Sequence, residues 1–249
     1  MTHHIVEVHD LEYAYPDGTP ALQGVSFRVA HGESMAIVGA NGAGKSTLLL
    51  HLNGYLAPAQ GIIQIGDFPL TKETLKIARR TVGMVFQDPD DQLFMPTVYD
   101  DVAFGPLNLG LTAQDVDARV ANALSIVGAG HLKNRPPYKL SGGEKRAVSI
   151  ATVLSMSPDI LVMDEPTSNL DPKARRQLIE LLKTFKHTKI IARHDLDMVI
   201  DLCERTIVMH NGRVTADGPT KEIFQNDALL EESHLEKPLR IQGCPVCCK

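Results

Sequence analysis

The chain has 249 residues, and its hydrophobic fraction of 43% is ordinary for a soluble globular protein. Lys and Arg number 25 against 30 Asp and Glu, and tryptophan is absent, so neither a basic surface nor a stacking platform for nucleic acid is expected. We also expect no membrane-spanning segment, because no apolar run approaches about 20 residues. We expect no secretory leader, because the start MTHHIVEVHD has neither a basic region nor an apolar one.

The first 70 residues predict a small antiparallel sheet that frames a strand, a loop and a helix. Residues 5–15 alternate apolar and polar side chains, and 22–29 indicate a second strand after a Pro-Asp-Gly turn. Residues 61–70 indicate another antiparallel piece. Between them, the short apolar strand 34–39 runs directly into a glycine loop and then into a helix at 45–52.

Farther along the chain, strands alternate with helical patterns. Strands are predicted at 80–86, 159–165 and 188–194, and helices at 113–128, 172–185 and 195–202. Continuous apolar runs such as the last two strands are typical of central parallel strands, which are buried on both faces. We therefore predict an α/β fold with a parallel core, an N-terminal antiparallel β subdomain and a helical insertion at about 88–157.

Residues 39–46, GANGAGKS, fit the pattern of a phosphate-binding loop, and they lie between a predicted strand and a predicted helix. The glycines Gly39, Gly42 and Gly44 let backbone N–H groups turn onto phosphate oxygens at the positive end of the helix. We expect Lys45 to reach the β- and γ-phosphates and the hydroxyl of Ser46 to bind Mg²⁺. The remaining nucleotide-binding residues expected here are Ala40, Asn41, Ala43 and Thr47.

A second buried strand ends at Asp164 and Glu165. At the carboxyl end of a strand, where open α/β sheets bind ligands, Asp164 would hold Mg²⁺ and Glu165 would polarise the attacking water. Gln87 and His194 also end predicted strands, and each alone is more often a structural side chain. Because both share the sheet edge of Lys45, we expect Gln87 to contact Mg²⁺ and the water, and His194 to contact the γ-phosphate.

The stretch YKLSGGEKRAV at 138–148 contains an unusual helix start. Ser141 and Glu144 form a capping box, so a helix is predicted to begin there. Gly142 and Gly143 then occupy its first turn, although each glycine costs a helix about 1 kcal/mol relative to alanine. A bare backbone at this position indicates that something approaches it closely.

With these residues in chain order, the sequence resembles the nucleotide-binding subunit of ATP-binding cassette (ABC) transporters over residues 4 to 230. The matching motifs are the loop 39–47, Gln87, LSGGE at 140–144, ILVMDE at 160–165, SNLD at 168–171 and His194. The resemblance implies a P-loop NTPase core of the RecA-like type with a helical signature subdomain. It assigns residues 1–232 to one nucleotide-binding domain and leaves 233–249 as an irregular tail.

The resemblance also implies how the paired glycines are used. Two copies are expected to bind head to tail around two ATP molecules, so that Ser141, Gly142 and Gly143 of one copy meet the γ-phosphate held by the other. Tyr15 matches the aromatic residue that stacks on adenine, although Tyr13 on the same strand face is an alternative. Two residues of the SNLD motif, Asn169 and Asp171, are expected to couple the two sites.

The stretch QDPDDQLF at 87–94 carries three carboxylates, Asp88, Asp90 and Asp91, just before Phe94. An acidic run is often only a solvated loop, and here the alternative is a socket for arginines of a membrane partner. The stretch resembles the energy-coupling factor (ECF) class of ABC importers. That class implies a transmembrane coupling component and a substrate-binding membrane subunit, with this chain attached peripherally to the cytoplasmic face of the cell membrane.

Within that class the sequence is most similar to the cobalt and nickel importer ATPases. An ATPase of a vitamin importer, such as one for biotin, and an ATPase of a separate-chain exporter remain alternatives. A homodimer is expected, with a heterodimer of two ATPases as the alternative. The cysteines, Cys203 and the terminal Cys244, Cys247 and Cys248, form no disulfide framework and favour a reducing compartment.

Overall fold

The computed structural model describes residues 4–194 and 196–242. In those residues the strands are β1 (His4–Ala14), β2 (Pro20–Ala30), β3 (Ser34–Val38), β4 (Gln60–Ile65), β5 (Phe68–Pro69), β6 (Val82–Val85), β7 (Ile160–Asp164), β8 (Thr188–Arg193), β9 (Arg205–His210) and β10 (Arg213–Pro219). The helices are α1 (Lys45–Leu52), α2 (Leu75–Thr81), α3 (Val98–Asn108), α4 (Ala113–Ile126), α5 (Gly142–Leu154), α6 (Pro172–Thr184), α7 (Leu196–Leu202), α8 (Thr220–Gln225) and α9 (Asp227–Glu232). Short 3-10 helices cover Pro89–Asp91, Gly130–Leu132, Pro137–Lys139 and Leu239–Ile241.

Two compact units divide the chain. The first unit comprises the residues up to 78 and those from 187 onward, and the second unit comprises residues 79–186. In the first unit an antiparallel sheet has the order β2-β1-β4-β5, and four further strands have the order β10-β9-β3-β8. The second unit holds the parallel pair β6 and β7 together with the helices α3 to α6.

The parallel strands of the first unit place the phosphate loop. Strand β3 pairs in parallel with β8 on one side and with β9 on the other. All six residues of β8 are buried, and in β3 burial is continuous from Met35 to Val38. The prediction that continuous apolar runs form strands covered on both faces is confirmed here. The chain leaves the carboxyl end of β3 directly into the loop and α1.

In the second unit, β6 and β7 pack against α5. A Cβ at Gly83 of β6 would lie 2.3 Å from Val153 Cγ1 and 2.8 Å from Pro158 Cγ, so glycine permits this close approach. Helical spacing of Val116, Val120, Leu124 and Val127 predicts α4, and the first three of these are buried in the helix. The unit is therefore a parallel strand pair whose neighbouring helices include the one that carries the glycine pair.

The structure confirms the predicted strands and helices, with their ends shifted by two residues at most. The antiparallel pairing of β4 with β1 and with β5 is also confirmed. The sequence did not predict α2, α3, β9, β10, α8 or α9. Helix α3 was not predicted because it contains Pro106, which lacks a backbone N–H and is unfavourable inside a helix.

The proposed limits of the domain remain predictions. The second unit, 79–186, is wider than the predicted insertion at 88–157, because it includes β6, β7 and α6. Of the predicted irregular tail 233–249, the described part up to 242 contains the 3-10 helix Leu239–Ile241 and has fixed contacts with α7. Cys244, Cys247 and Cys248 lie outside the described residues.

Candidate functional site

The phosphate loop lies in the first unit between β3 and α1. Gly42 and Gly44 have φ angles of 80° and 100°, a region that favours glycine. The helix begins at Lys45, as predicted, and the N–H of Leu48 donates to the carbonyl of Gly44. The loop therefore brings its backbone to the amino end of α1, where N–H groups and the helix dipole attract anions.

Two of the loop glycines are also required by packing. A Cβ at Gly39 would lie 2.3 Å from the carbonyl oxygen of Met209 in β9, and a Cβ at Gly44 would lie 2.5 Å from that of Ala21 in β2. Real Cβ atoms do not approach backbone oxygens so closely. The loop thus rests on β2 and β9, and its glycine pattern is fixed by the chain's own backbone as well as by phosphate chemistry.

The ammonium group of Lys45 lies within the loop. Its Nζ donates hydrogen bonds to the carbonyl oxygens of Gly39 at 2.8 Å and Ala40 at 3.0 Å, and the residue is 7% exposed. Lysine presents a compact point charge on a flexible stem, which suits an anion arriving at this loop. The remaining predicted nucleotide-binding residues lie in the loop or in the first turn of α1: Ala40, Asn41, Ala43, Ser46 and Thr47.

Tyr15 follows β1 and contacts the beginning of α1. Its hydroxyl forms a 2.8 Å hydrogen bond with the hydroxyl of Thr47, and the residue is 38% exposed. Tyr13 packs edge-on against Tyr15 and against the fully buried His51, at ring distances of 5.3 and 4.7 Å. Of the two tyrosines, Tyr15 is thus the ring that is both exposed and hydrogen-bonded to the segment 39–47.

His194 follows the last residue of β8 and is exposed. It lines a cavity of about 450 Å³ together with Gly39, Ala40 and Asn41 of the phosphate loop. The structure therefore brings His194 and the phosphate loop together within the first unit, as expected from the common edge at which parallel strands end.

In the second unit, β7 ends at Asp164, and both Asp164 and Glu165 are only 6% exposed. Glu165 has a φ angle of 46°, which is left-handed backbone that a residue with a side chain rarely adopts. The N–H of Ser168 donates to the carbonyl of Glu165, which closes the turn. The backbone thus reverses directly after the strand and holds two acidic side chains at its carboxyl end.

Gln87 lies two residues beyond β6 and is exposed. Arg146 of α5, 2% exposed, donates from its guanidinium to the carbonyls of Phe86 at 2.7 Å and Gln87 at 2.5 Å. Sequence reasoning missed Arg146, although a charged residue among the apolar positions of an amphipathic helix was a signal. Because Arg146 is five residues from Ser141, this contact joins the segment of Gln87 to the glycine-bearing helix.

The predicted capping box at the start of α5 is confirmed. The backbone N–H and the hydroxyl of Ser141 both donate to the Glu144 carboxylate at 2.8 Å, and the N–H of Glu144 donates to the Ser141 hydroxyl at 3.4 Å. These hydrogen bonds from Ser141 lower the pKa of Glu144. The helix therefore begins at Gly142, with both glycines in its first turn.

The two glycines of that turn have different surroundings. A Cβ at Gly143 would lie 3.1 Å from the Cβ of Ala174 in α6, which is a tight contact. A Cβ at Gly142 would approach only the carbonyl oxygen of Asn169, at 3.8 Å, which is ordinary contact. The sequence analysis attributed both glycines to a group that approaches from outside. The packing of α5 on α6 already restricts the side chain at position 143, so that explanation is needed only for Gly142.

The acidic stretch 88–94 is tied to α5. The Asp90 carboxylate pairs with the ammonium of Lys145 at 2.6 Å, and the Asp88 side chain accepts from the N–H of Asp90 at 2.9 Å. The amide nitrogen of Gln92 donates to the carbonyl of Ser149 at 2.7 Å. The sequence alone did not distinguish the carboxylates of Asp88, Asp90 and Asp91. In the structure, the ammonium of Lys145 partly neutralises the charge of Asp90.

The donor types at these positions suit a nucleotide with Mg²⁺. Ser46, Gln87 and Asp164 carry hydroxyl, amide and carboxylate oxygens, which are the hard ligands that Mg²⁺ prefers. In the described residues no three His, Cys, Asp or Glu side chains cluster closely enough to bind a metal ion alone.

Within residues 4–194 and 196–242, no helix has the length and apolar character to cross a bilayer.

Comparison with known proteins identifies the family. A family model described as ABC transporter matches residues 22–168. A Geobacter sulfurreducens protein described as an ABC transporter ATP-binding protein is 71% identical over 247 residues, which is 99% of each chain. The energy-coupling factor transporter ATP-binding protein of Methanothermobacter thermautotrophicus is 47% identical over 239 residues, covering 94% of this chain and 77% of that one.

A solved structure agrees with these relatives. The structure of cbiO1 from Clostridium perfringens, described as part of the ABC transporter complex cbiONQ, superposes with a TM-score of 0.81 and 42% identity. The superposition covers 92% of this chain and 94% of that one. The family model spans more than half of the chain and the relatives nearly all of it, so this chain belongs to the ABC transporter family and is one of its ATPases.

Proposed function

We propose that this chain is the ATPase subunit of an ECF-type importer and that it hydrolyses ATP in a head-to-tail dimer. The observation that carries the proposal is Gly142. Its φ angle is ordinary, and the chain's own atoms leave room for a Cβ, so nothing in the described fold demands glycine there. A helix that gives up about 1 kcal/mol at an exposed first turn gains by admitting an anion from outside the chain.

The proposal gives each nucleotide-binding residue a role that its position supports. Tyr15, fixed by its bond to Thr47, stacks on adenine. Lys45 and the loop 39–47 bind the phosphates of one nucleotide. Ser141, Gly142 and Gly143 of the second copy cover the γ-phosphate of that same nucleotide, so each reaction centre needs two copies of the chain.

The chemistry is assigned to groups at the ends of strands. Ser46, Gln87 and Asp164 would hold Mg²⁺, which neutralises phosphate charge when bound. Glu165 accepts a hydrogen bond from the attacking water and polarises it. Because Glu165 is buried, the surrounding protein restricts the orientation of its carboxylate. His194 donates a hydrogen bond to the γ-phosphate from the edge of the phosphate loop.

A mixing experiment tests the composite site. Lys45→Ala and Ser141→Arg should each fold and be inactive in hydrolysis, and Ser141→Arg should still bind ATP. Mixed in equal amounts, they should recover about a quarter of the wild-type activity, because half of the dimers contain one intact site. The recovery should need only the two proteins, ATP and Mg²⁺. The head-to-tail site would be refuted by two results together. The mixed variants would recover no activity at any ratio, and the Glu165→Gln variant would not dimerise when ATP is added.

The second unit supports a membrane partner near the acidic stretch. Phe94 is 64% exposed and packs edge-on against Phe104 of α3 at 5.1 Å. Phe104 and Leu107 of α3 are themselves 44% and 57% exposed. Exposed apolar side chains beside Asp88 and Asp91 suit a short helix that combines apolar residues with arginine.

A pull-down from membranes tests this partner surface. Asp90→Asn with Asp91→Asn should release the chain from membranes and leave its ATP binding unchanged. The matched control is Glu231→Gln with Glu232→Gln, which removes two neighbouring exposed carboxylates from α9 and should leave membrane attachment intact. Retention of the aspartate variant on membranes, at the level of the control, would exclude the acidic stretch as the socket.

We also propose that the imported micronutrient is cobalt or nickel and that the chain acts as a homodimer on the cytoplasmic face of the membrane. The support is the similarity to cbiO1 over nearly the full length of both chains. The test is to purify the complex with its transmembrane coupling component and its substrate-binding subunit, and to measure its bound metal and uptake. Binding of biotin or another vitamin in place of metal would select the alternative importer.

A further inference from the structure

We propose that residues 233–242, here named the C-terminal strap, position His194 for the reaction by fixing α7. The proposal goes beyond the ATPase function and rests on the role proposed above for His194. Sequence reasoning assigned these residues to an irregular tail without a role. The structure instead shows them attached to two helices and lining a cavity beside the phosphate loop.

The strap is attached to α7 by two acidic side chains. The carboxylate of Asp197 accepts hydrogen bonds from the backbone N–H groups of Leu239 at 3.3 Å and Arg240 at 3.1 Å. The guanidinium of Arg240 pairs with the carboxylate of Asp201 at 2.5 Å. Asp197 and Asp201 are four residues apart and so share one face of α7.

The other end of the strap is held by α9. The ammonium of Lys237 pairs with the carboxylate of Asp227 at 2.8 Å, and the N–H of Leu235 donates to the carbonyl of Leu230 at 2.8 Å. The strap therefore joins α9 to α7 with attachments on both sides. A segment fixed in this way can resist movement of the helix it crosses.

Helix α7 needs such support. It has only seven residues, and helices of that length are marginal unless tertiary contacts hold them. Its apolar face is buried at Leu196, Met198, Val199 and Leu202. The strap holds the acidic face, so α7 is fixed from two sides.

The position of α7 bears directly on His194, because α7 begins only two residues after it. The strap residues 234–239 also line the cavity of about 450 Å³ that is lined by His194 and by Gly39, Ala40 and Asn41. Loosening the strap would leave the phosphate loop resting on β2 and β9, while α7 and His194 lose one support. Hydrolysis should then suffer more than nucleotide binding.

The test changes the strap from its own side and leaves α7 intact. Leu239→Pro removes the N–H that bonds Asp197, and Arg240→Ala removes the pair with Asp201. The proline should be tolerated, because Leu239 is 73% exposed and begins the 3-10 helix, and Pro238 before it has ψ of 135°. The matched control is Lys221→Ala, which removes an exposed positive charge from α8, outside the strap and outside α7.

We expect Leu239→Pro/Arg240→Ala to lower kcat for ATP about threefold to tenfold, with KM for ATP and nucleotide affinity within about twofold of wild type. Lys221→Ala should leave kcat nearly unchanged. An unchanged kcat in the double variant would overturn the proposal, and so would a loss of ATP affinity at constant kcat, which would indicate support of the phosphate loop instead.

His194→Ala serves as a reference that separates this inference from the proposed function. It should abolish hydrolysis and keep ATP binding. Full activity of His194→Ala would refute the role proposed for His194 and with it the positioning proposal. If His194→Ala is inactive while the strap variant is fully active, only the inference about the strap fails.

Discussion

Two motifs of this protein place glycines at the start of a helix, and their glycines have different physical causes. In the phosphate loop, a Cβ on Gly39 or Gly44 would collide with a backbone carbonyl of the same chain. At the start of α5, Gly142 has room for a Cβ and an ordinary φ angle. The loop glycines are thus needed to fold the site, whereas Gly142 is needed only by something that approaches from outside.

Some glycines are therefore required for the chain to fold, and others are required only for two copies to assemble around nucleotide. A motif required by its own fold should fail in the isolated chain when it is altered. A motif required by a partner should leave the isolated chain intact and fail only when two copies and nucleotide come together. Gly143 lies between the two cases, because its tight neighbour Ala174 belongs to the same unit.

The largest effect is expected from Gly39→Ala. The new Cβ would lie 2.3 Å from the carbonyl oxygen of Met209, so β9 or the loop must move. We expect a loss of about 2–3 kcal/mol in unfolding free energy and a loss of ATP binding. Denaturant unfolding and nucleotide titration measure both. Wild-type affinity in this variant would mean that the loop is not fixed against β9.

Gly142→Ala should have the opposite pattern. Because alanine favours a helix, unfolding free energy should stay equal or rise by up to about 1 kcal/mol. Hydrolysis should fall on the order of 100-fold, because the methyl group obstructs the anion of the partner site. ATP binding to the isolated chain should be unchanged. A fully active Gly142→Ala would remove the distinction drawn between the two motifs.

Gly143→Ala sharpens the comparison further. Its Cβ would lie 3.1 Å from the Cβ of Ala174, so α5 and α6 must separate slightly, and we expect a loss of about 1 kcal/mol and about tenfold in hydrolysis. Ala174→Gly in the same chain should restore most of the hydrolysis by making room. The single variant Ala174→Gly is the control. If activity is not restored, the bound nucleotide, and not α6, limits the size of the side chain at position 143.

The smallest effect concerns His51, which lies in the last turn of α1. Its Nδ1 lies 2.7 Å from the carbonyl oxygen of Thr47, and burial lowers its pKa. The unfolded chain therefore takes up a proton below about pH 6.5 more readily than the folded chain does, and unfolding free energy falls as pH decreases.

We expect wild-type protein to lose about 1 kcal/mol more than His51→Leu between about pH 7.5 and 5.5. Thermal unfolding at several pH values measures this difference. The exposed His131→Gln is the control and should behave as wild type does. Identical pH dependence of wild type and His51→Leu would mean that His51 does not carry the pH effect.

Much of the fold could be read from local patterns. Alternation predicted β1, continuous apolar runs predicted β7 and β8, and the capping box at Ser141 placed the start of α5. These features depend on neighbours in sequence. Local patterns failed for α3, which contains Pro106 in its interior, and for the C-terminal strap, whose hydrogen bonds run to Asp197 about forty residues earlier.

The sequence by itself determined which chemical groups are available to the proposed site, because it contains the loop 39–47, Gln87, Ser141, Asp164 and His194 in that order. Only the tertiary structure decided which glycines the fold requires, that Lys145 pairs with Asp90, and that Arg146 holds the segment of Gln87. These facts depend on contacts between residues distant in sequence. Such contacts are set by how strands and helices pack, and no local pattern contains that information.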